Sequence, residues 1–96
     1  MTKFRPLKSF WLAYAQLPEE IKEKTREAFR LFQLGAANPP FHPSLRVRKI
    51  EGYENIWEGH ITVQYVFTFH VEEYPNTGEK IFVFRKIGTH KIYRNP

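Results

Sequence analysis

The side chains with the clearest capacity for chemistry lie near the end of the sequence. Arg85, Lys86, His90 and Tyr93 fall within nine residues. Two cations, an imidazole and a phenol could together bind a phosphate and move protons around it. They follow the apolar run Ile81 to Phe84, which predicts a strand buried on both faces. The same polar residues could also form only the rim of a small sheet, and both interpretations are open at this point.

RNA is a suitable substrate for such a set, because it carries its own nucleophile in the 2′-hydroxyl. Cleavage then requires a base, an acid and cations for the charge that grows on the phosphate. The catalytic candidates on these grounds are His90, His60, Lys86 and Tyr93. The candidates for binding RNA phosphates are Arg46, Arg48, Lys49 and Arg85.

Other chemistries find little support in the sequence. The four histidines do not stand at metal-ligand spacing, there is no cysteine, and every one of the ten acidic residues is glutamate. Short carboxylates that hold Mg²⁺ and a glycine-rich phosphate loop are therefore missing from the pattern. We expect neither a metal nor a cofactor.

The bulk composition indicates one globular domain with an anionic partner. The chain has 96 residues, a formal net charge of +5 and an aromatic content of 17%. Basic charge of this size favours nucleic acid or the ribosome as partner. No apolar run is long enough to cross a membrane, and the first residues lack the apolar core of a signal peptide. Together with the absence of cysteine, this predicts a cytoplasmic protein.

Two helices are predicted in the first half of the chain, after a short edge strand or irregular arm over residues 2–7. Apolar spacing predicts a helix over residues 8–16. Pro18 followed by two glutamates predicts the start of a second helix, which runs to about Leu34 and is closed by Gly35.

Three strands are predicted after the helices. The first covers residues 44–50, where Arg46 and Arg48 alternate with apolar residues. The second covers residues 57–71, as one long strand or as two with a kink at Gly59. A hairpin turn over residues 74–78 leads to the last strand, residues 79–86. The predicted fold is α+β, with two N-terminal helices packed on a small twisted antiparallel sheet in the order β-α-α-β-β-β.

The C-terminal pattern resembles that of the RelE/ParE toxin superfamily, nearest the YafQ-like mRNA interferase branch. The resemblance is carried by the segment from Lys86 to His90 with an aromatic at Tyr93. His42-Pro43-Ser44-Leu45 and the strand around His60 add to it. The Leu-Pro pair before the second helix and the proline-rich loop after it match in position. The resemblance spans nearly the whole chain.

The resemblance implies the toxin of a type II toxin–antitoxin system. Such a toxin is a ribosome-dependent endoribonuclease that cleaves mRNA and is silenced by a cognate antitoxin protein. By position, His90 corresponds to the general acid or base, with His60 and His42 as secondary acid–base or orienting groups. Lys86 corresponds to an arginine that stabilises the transition state, and Tyr93 to an aromatic that stacks or donates.

Two positions depart from the family pattern, and they leave an alternative open. Gln64 stands where the branch has an acid, and an amide cannot act as a base. Lys86 replaces an arginine and loses its bidentate grip on phosphate. The alternative is a non-catalytic ParE-like toxin that acts by binding a protein such as DNA gyrase. A basic α+β domain with neither role is the third interpretation.

Overall fold

The computed structural model describes residues 2–96 and has the predicted α+β architecture. Two short 3-10 helices interrupt the later part, the first at Pro43–Leu45 and the last at His90–Arg94. The helices and strands are β1 Thr2–Pro6, α1 Lys8–Ala15, α2 Glu19–Ala37, β2 Arg48–Lys49, β3 Trp57–His60, β4 Tyr65–Tyr74 and β5 Glu79–Thr89.

The five strands form one mixed sheet in the order β1-β5-β4-β3-β2. The strands that follow the helices pair antiparallel, as predicted. The first strand does form an edge of the sheet, but it pairs with β5 in parallel, with Phe4 opposite Phe82. The long connection between β1 and β5 makes this parallel pairing possible, since only antiparallel neighbours can be joined by a tight turn.

The second helix is longer than predicted. It begins after Pro18 with two glutamates in its first turn, but it continues past Gly35 to Ala37. Gly35 does not end the helix, and it serves instead as a packing position. A Cβ on Gly35 would lie 2.7 Å from Cα of Phe41, so only glycine lets the following loop fold back this closely.

The predicted strand over residues 44–50 is wrong for most of its length. His42 caps a 3-10 turn there, because its Nδ1 accepts a hydrogen bond from the backbone N–H of Ser44 at 3.1 Å. Arg46 then adopts a left-handed conformation with φ 48°, which breaks the extended backbone. Only Arg48 and Lys49 remain as the short edge strand β2.

The predicted long strand over residues 57–71 is two strands, but the break is not at Gly59. A tight turn over residues 61–64 separates β3 from β4, and Thr62 Oγ1 accepts backbone hydrogen bonds from Gln64 and Tyr65 within it. Val63 lies in this turn and is 83% exposed. Gly59 lies inside β3 opposite Phe67, where a Cβ would collide with the phenyl ring.

The helices and the sheet enclose a core dominated by phenylalanine. Phe32 of α2 is fully buried and contacts rings from the first, fourth and fifth strands and from the loop after α2. Large rings in contact supply most of the buried apolar area in a domain of this size. The core cluster consists of Phe10, Ala28, Phe32, Leu45, Phe67, Phe69, Phe82, Phe84 and Ile87. The other face of the sheet, here called the outer face, carries the polar residues.

Candidate catalytic site on the outer face of the sheet

Strand register aligns four polar side chains in one row across the outer face. Arg48 of β2 pairs with Glu58 of β3, and Glu58 pairs with Thr68 of β4. Thr68 in turn pairs with Lys86 of β5. Because paired residues in a sheet project to the same side, the row brings two cations and a carboxylate together on one surface.

A β-bulge adds a second cation beside Lys86. Lys86 pairs with Thr68 and Phe84 pairs with Phe69, so Arg85 is the extra residue between them. The bulge interrupts the strict alternation of strand side chains. Arg85 consequently reaches residues of the outer face, hydrogen bonding His70 at 2.9 Å, next to its strand neighbour Lys86.

The last 3-10 helix carries two further side chains to this surface. It follows directly on β5, which is three residues longer than predicted and ends at Thr89. The ring of His90 lies 6.2 Å from that of His60 and 5.5 Å from that of Tyr93, centroid to centroid. Three of the predicted catalytic residues are thus neighbours, and we call His60, His90 and Tyr93 the outer-face cluster.

The environment of His60 favours its neutral form. Burial of the ring is the largest cause, and it lowers the pKa of His60 below the ordinary value of 6.5. The negative charge of Glu58 opposes the shift. The positive charges that add to it belong to Arg46, His90 and Arg48. At neutral pH, His60 is therefore an unprotonated imidazole that can accept a proton.

The environment of Tyr93 keeps its hydroxyl protonated. Burial and the nearby Glu58 carboxylate raise the pKa of Tyr93 to about 12, against a weaker opposing effect of Arg48. Glu58 is near enough to exert this effect, yet the hydroxyl does not reach hydrogen-bond geometry with any described residue. A phenol held in this state can donate a hydrogen bond but cannot act as a base.

The outer-face cluster contains buried polar atoms without a protein partner. Within residues 2–96, these atoms are Nδ1 of His60 and Oη of Tyr93. Unpaired buried polar atoms are uncommon in folded proteins and are often found where a ligand is handled. His90 differs, because its Nε2–H donates to the carbonyl of Val63 at 2.9 Å, which leaves Nδ1 to exchange a proton.

Glu58 is the residue of this site that the sequence analysis missed. Its side chain is 6% exposed, and its Oε1 accepts a hydrogen bond from Nε of Arg48 at 3.0 Å. A carboxylate this deeply buried is kept only with a cationic partner. Its spacing from His60 could have indicated this position, because residues 58 and 60 of one strand share a face.

Of the other predicted site residues, His42 and Lys49 take no part in the outer-face cluster, whereas Arg46 is near enough for its charge to lower the pKa of His60. His42 and Arg46 line an apolar cleft of about 780 Å³ between the loop after α2 and the sheet. Nδ1 of His42 is already engaged by Ser44, at 2.8 Å from the hydroxyl. Lys49 is exposed and follows Arg48 along β2, so it projects to the opposite side of that strand.

The described part of the chain contains neither a metal-binding group nor a membrane-spanning helix. Among residues 2–96, no three histidine or glutamate side chains are grouped closely enough to hold a metal ion. Neither helix in that range combines the length and apolar content needed to cross a bilayer.

This fold is similar to those of solved RelE, YafQ and YoeB/ParE toxins, so the predicted resemblance is confirmed at the level of fold. The chain matches YafQ from E. coli strain BL21(DE3) with a TM-score of 0.68 and 12% identity, over 97% of this chain and 98% of YafQ. The YoeB/ParE toxin from Agrobacterium tumefaciens matches with a TM-score of 0.67 and 17% identity, over 92% of this chain and 98% of that toxin.

A third similar structure is the RelB-RelE antitoxin-toxin complex from Methanococcus jannaschii, with a TM-score of 0.65 and 17% identity over 95% of each chain. No protein-family model and no curated protein sequence matches this chain. The likeness is therefore one of fold, and the chemistry has to be argued from the residues of the outer face.

Proposed function

We propose that this chain is the toxin of a type II toxin–antitoxin pair and a ribosome-dependent endoribonuclease that cleaves mRNA without a metal. The observation that carries the proposal is the outer-face cluster, in which the His90 ring lies 6.2 Å from that of His60 and 5.5 Å from that of Tyr93. General acid–base catalysis needs such groups within reach of one phosphodiester. The fold shared with RelE and YafQ supports the same conclusion.

In the proposed reaction, neutral His60 removes the proton from the ribose 2′-hydroxyl. The 2′-oxygen forms a bond to phosphorus while the bond to the 5′-oxygen breaks, giving a 2′,3′-cyclic phosphate. Protonated His90 supplies the proton to the departing 5′-oxygen through Nδ1, since Val63 holds its Nε2–H. Tyr93 stays protonated and donates to the phosphate or stacks on a base.

The cations nearest to the cluster have distinct parts in this proposal. Lys86 stabilises the charge that develops on the phosphate. It acts as a single ammonium charge and does not form the two parallel hydrogen bonds of a guanidinium. Arg48 is held by the buried carboxylate of Glu58, so its guanidinium is positioned at the rim of the site with 74% of its side chain exposed. Arg46 and Lys49 bind RNA phosphates more peripherally.

The proposed partners are the ribosome with its mRNA and a cognate antitoxin protein, and the proposed location is the cytoplasm. The net charge of +5 suits an RNA-rich surface. A RelE toxin of the same fold was solved bound to its RelB antitoxin, which supports an antitoxin here.

Mapping of mRNA 5′ ends after induced expression tests the proposal. We expect new cuts within translated reading frames, and no such cuts in purified mRNA without ribosomes. The His90→Ala variant should leave the mRNA intact, and His42→Asn, which removes an imidazole outside the cluster, should cut as the parent does.

Two outcomes would contradict the nuclease. Growth inhibition without new mRNA ends would favour the ParE-like alternative, which a DNA supercoiling assay with gyrase then tests. Equal cutting by the parent and His90→Ala would show that the cluster does not perform the chemistry.

A further inference from the structure

The oxygen of Pro96 occupies a small built site on the outer face. It accepts a hydrogen bond from Oγ1 of Thr68 at 3.2 Å and another from Nε of Arg85 at 3.1 Å. Thr68 is 0% exposed and Pro96 is buried, so the contact lies in the floor of the sheet rather than at its surface. A hydroxyl and a guanidinium directed at one oxygen make an oxyanion-binding arrangement.

The guanidinium of Arg85 is held in place by a second contact. Its Nη1 donates to Nδ1 of His70 at 2.9 Å, and Nε2 of His70 lies 3.2 Å from Glu72. The orientation of Arg85 thus does not depend on Pro96 alone. Lys86, the register partner of Thr68, adds a further positive charge to the same place.

The segment that fills this site is lightly attached. Arg94 and Asn95 are exposed, and the backbone N–H of Asn95 bonds only back to Ile92 within the last 3-10 helix. Burial of the Pro96 ring and the two hydrogen bonds to its oxygen hold the segment down. Its departure would leave Thr68 and Arg85 directed at an empty position.

We propose that Arg85 and Thr68 form an anion subsite for a backbone phosphate of RNA, and that Asn95 and Pro96 close it by placing the Pro96 oxygen where a phosphate oxygen binds. The choice of RNA rests on the proposed function. Lys86 adjoins Arg85 along β5 and faces the same surface as the outer-face cluster. A strand of RNA that crosses the cluster would therefore meet Arg85 with a neighbouring phosphate.

The test compares the full chain with a variant that ends at Arg94. The probes are inorganic phosphate, followed through the Nε–H resonance of Arg85, and a 2′-O-methyl RNA oligonucleotide, which the chain cannot cleave. The apparent affinity of a site that is open for only part of the time is reduced in proportion to the open fraction. We therefore expect the shortened chain to bind both probes about tenfold more tightly. Pro96→Gly, which keeps the length and removes the buried ring, should give part of this gain.

A substitution that removes the charge of Arg85 then tests whether the gain in affinity arises at this site. Arg85→Gln should remove the gain in the shortened chain but change the affinity of the full chain little, because Pro96 already engages Arg85 there. Lys80→Gln removes a cation from the opposite end of β5 and should weaken RNA binding equally in both lengths. Thermal melting of each variant verifies that it is folded.

The outcomes separate this proposal from the nuclease itself. If the full chain cuts mRNA but neither probe gains affinity in the shortened chain or in Pro96→Gly, the subsite is refuted and the nuclease stands. A gain for phosphate without one for methylated RNA would refute RNA as the ligand. A gain that survives Arg85→Gln would also overturn the proposal.

Discussion

The two faces of the sheet are built on different principles. The helix-covered face is almost entirely aromatic, and Phe32, Phe67 and Phe84 contact one another there. The outer face instead carries an ion pair, two neighbouring imidazoles and unpaired polar atoms. The first face stabilises the domain, whereas the second retains groups whose hydrogen-bonding capacity is not used within the protein. Stability and activity should therefore respond to different substitutions.

The largest difference between the effect on activity and the effect on stability is expected from His90→Ala. Loss of a general acid lowers a rate by about 10²–10⁴-fold, and the ring is exposed, so the free energy of unfolding should change by only about 0.5 kcal/mol. Single-turnover cleavage of ribosome-bound mRNA and urea unfolding measure the two quantities. His42→Asn is the matched control, because Asn keeps an acceptor for the Ser44 N–H and should leave both values near those of the parent.

Phe32→Ala, in contrast, is expected to lower the free energy of unfolding strongly. Phe32 is 0% exposed, and truncation of a buried phenylalanine costs about 3–5 kcal/mol. Urea unfolding at neutral pH measures this loss. Leu34→Ala, two residues further along α2 at a position that is 57% exposed, should cost less than about 0.5 kcal/mol. Equal losses for the two variants would mean that α2 does not bury the face described here.

Glu58→Gln should weaken the electrostatic organisation of the outer face. The Glu58 charge helps to raise the pKa of Tyr93, so its removal should lower that pKa from about 12, while burial keeps it above the ordinary 10.0. Tyrosinate absorbance, taken as the difference between each variant and its Tyr93→Phe counterpart, reports the value. Glu54→Gln, in the exposed turn before β3, should not move it.

The smallest effect is expected in the pH dependence of stability. Because the folded-state pKa of His60 lies below 6.5, the unfolded chain binds its proton first as the pH falls. The contribution of His60 is thus fully present above pH 6.5 and is lost as the pH falls through the lowered pKa. In melts at pH 7.5 and 5.5, His60→Gln should lose less stability than the parent. An equal loss in the two proteins would contradict the lowered pKa of His60.

The helix-covered face could be predicted from the sequence because it depends on local periodicity. Apolar spacing over residues 8–16 and the Pro18 start predicted the two helices, which the structure contains at Lys8–Ala15 and Glu19–Ala37. The outer face depends on register and on turns, which periodicity does not specify. The cap at His42 arises from a single contact, and the bulge at Arg85 arises from a single added residue. For that reason Glu58 was missed and the strand before it was misplaced. His60 and His90 were both named as catalytic candidates, but their proximity was not predicted.

The pairing of the first strand with the last has a consequence for synthesis on the ribosome. Residues 2–6 pair with residues 80–84, so an emerging polypeptide cannot complete this sheet until residue 84 has been translated. Lys86, His90 and Tyr93 emerge later still. A fragment released before residue 80 would consequently lack both the partner of its first strand and the polar groups at the end of β5.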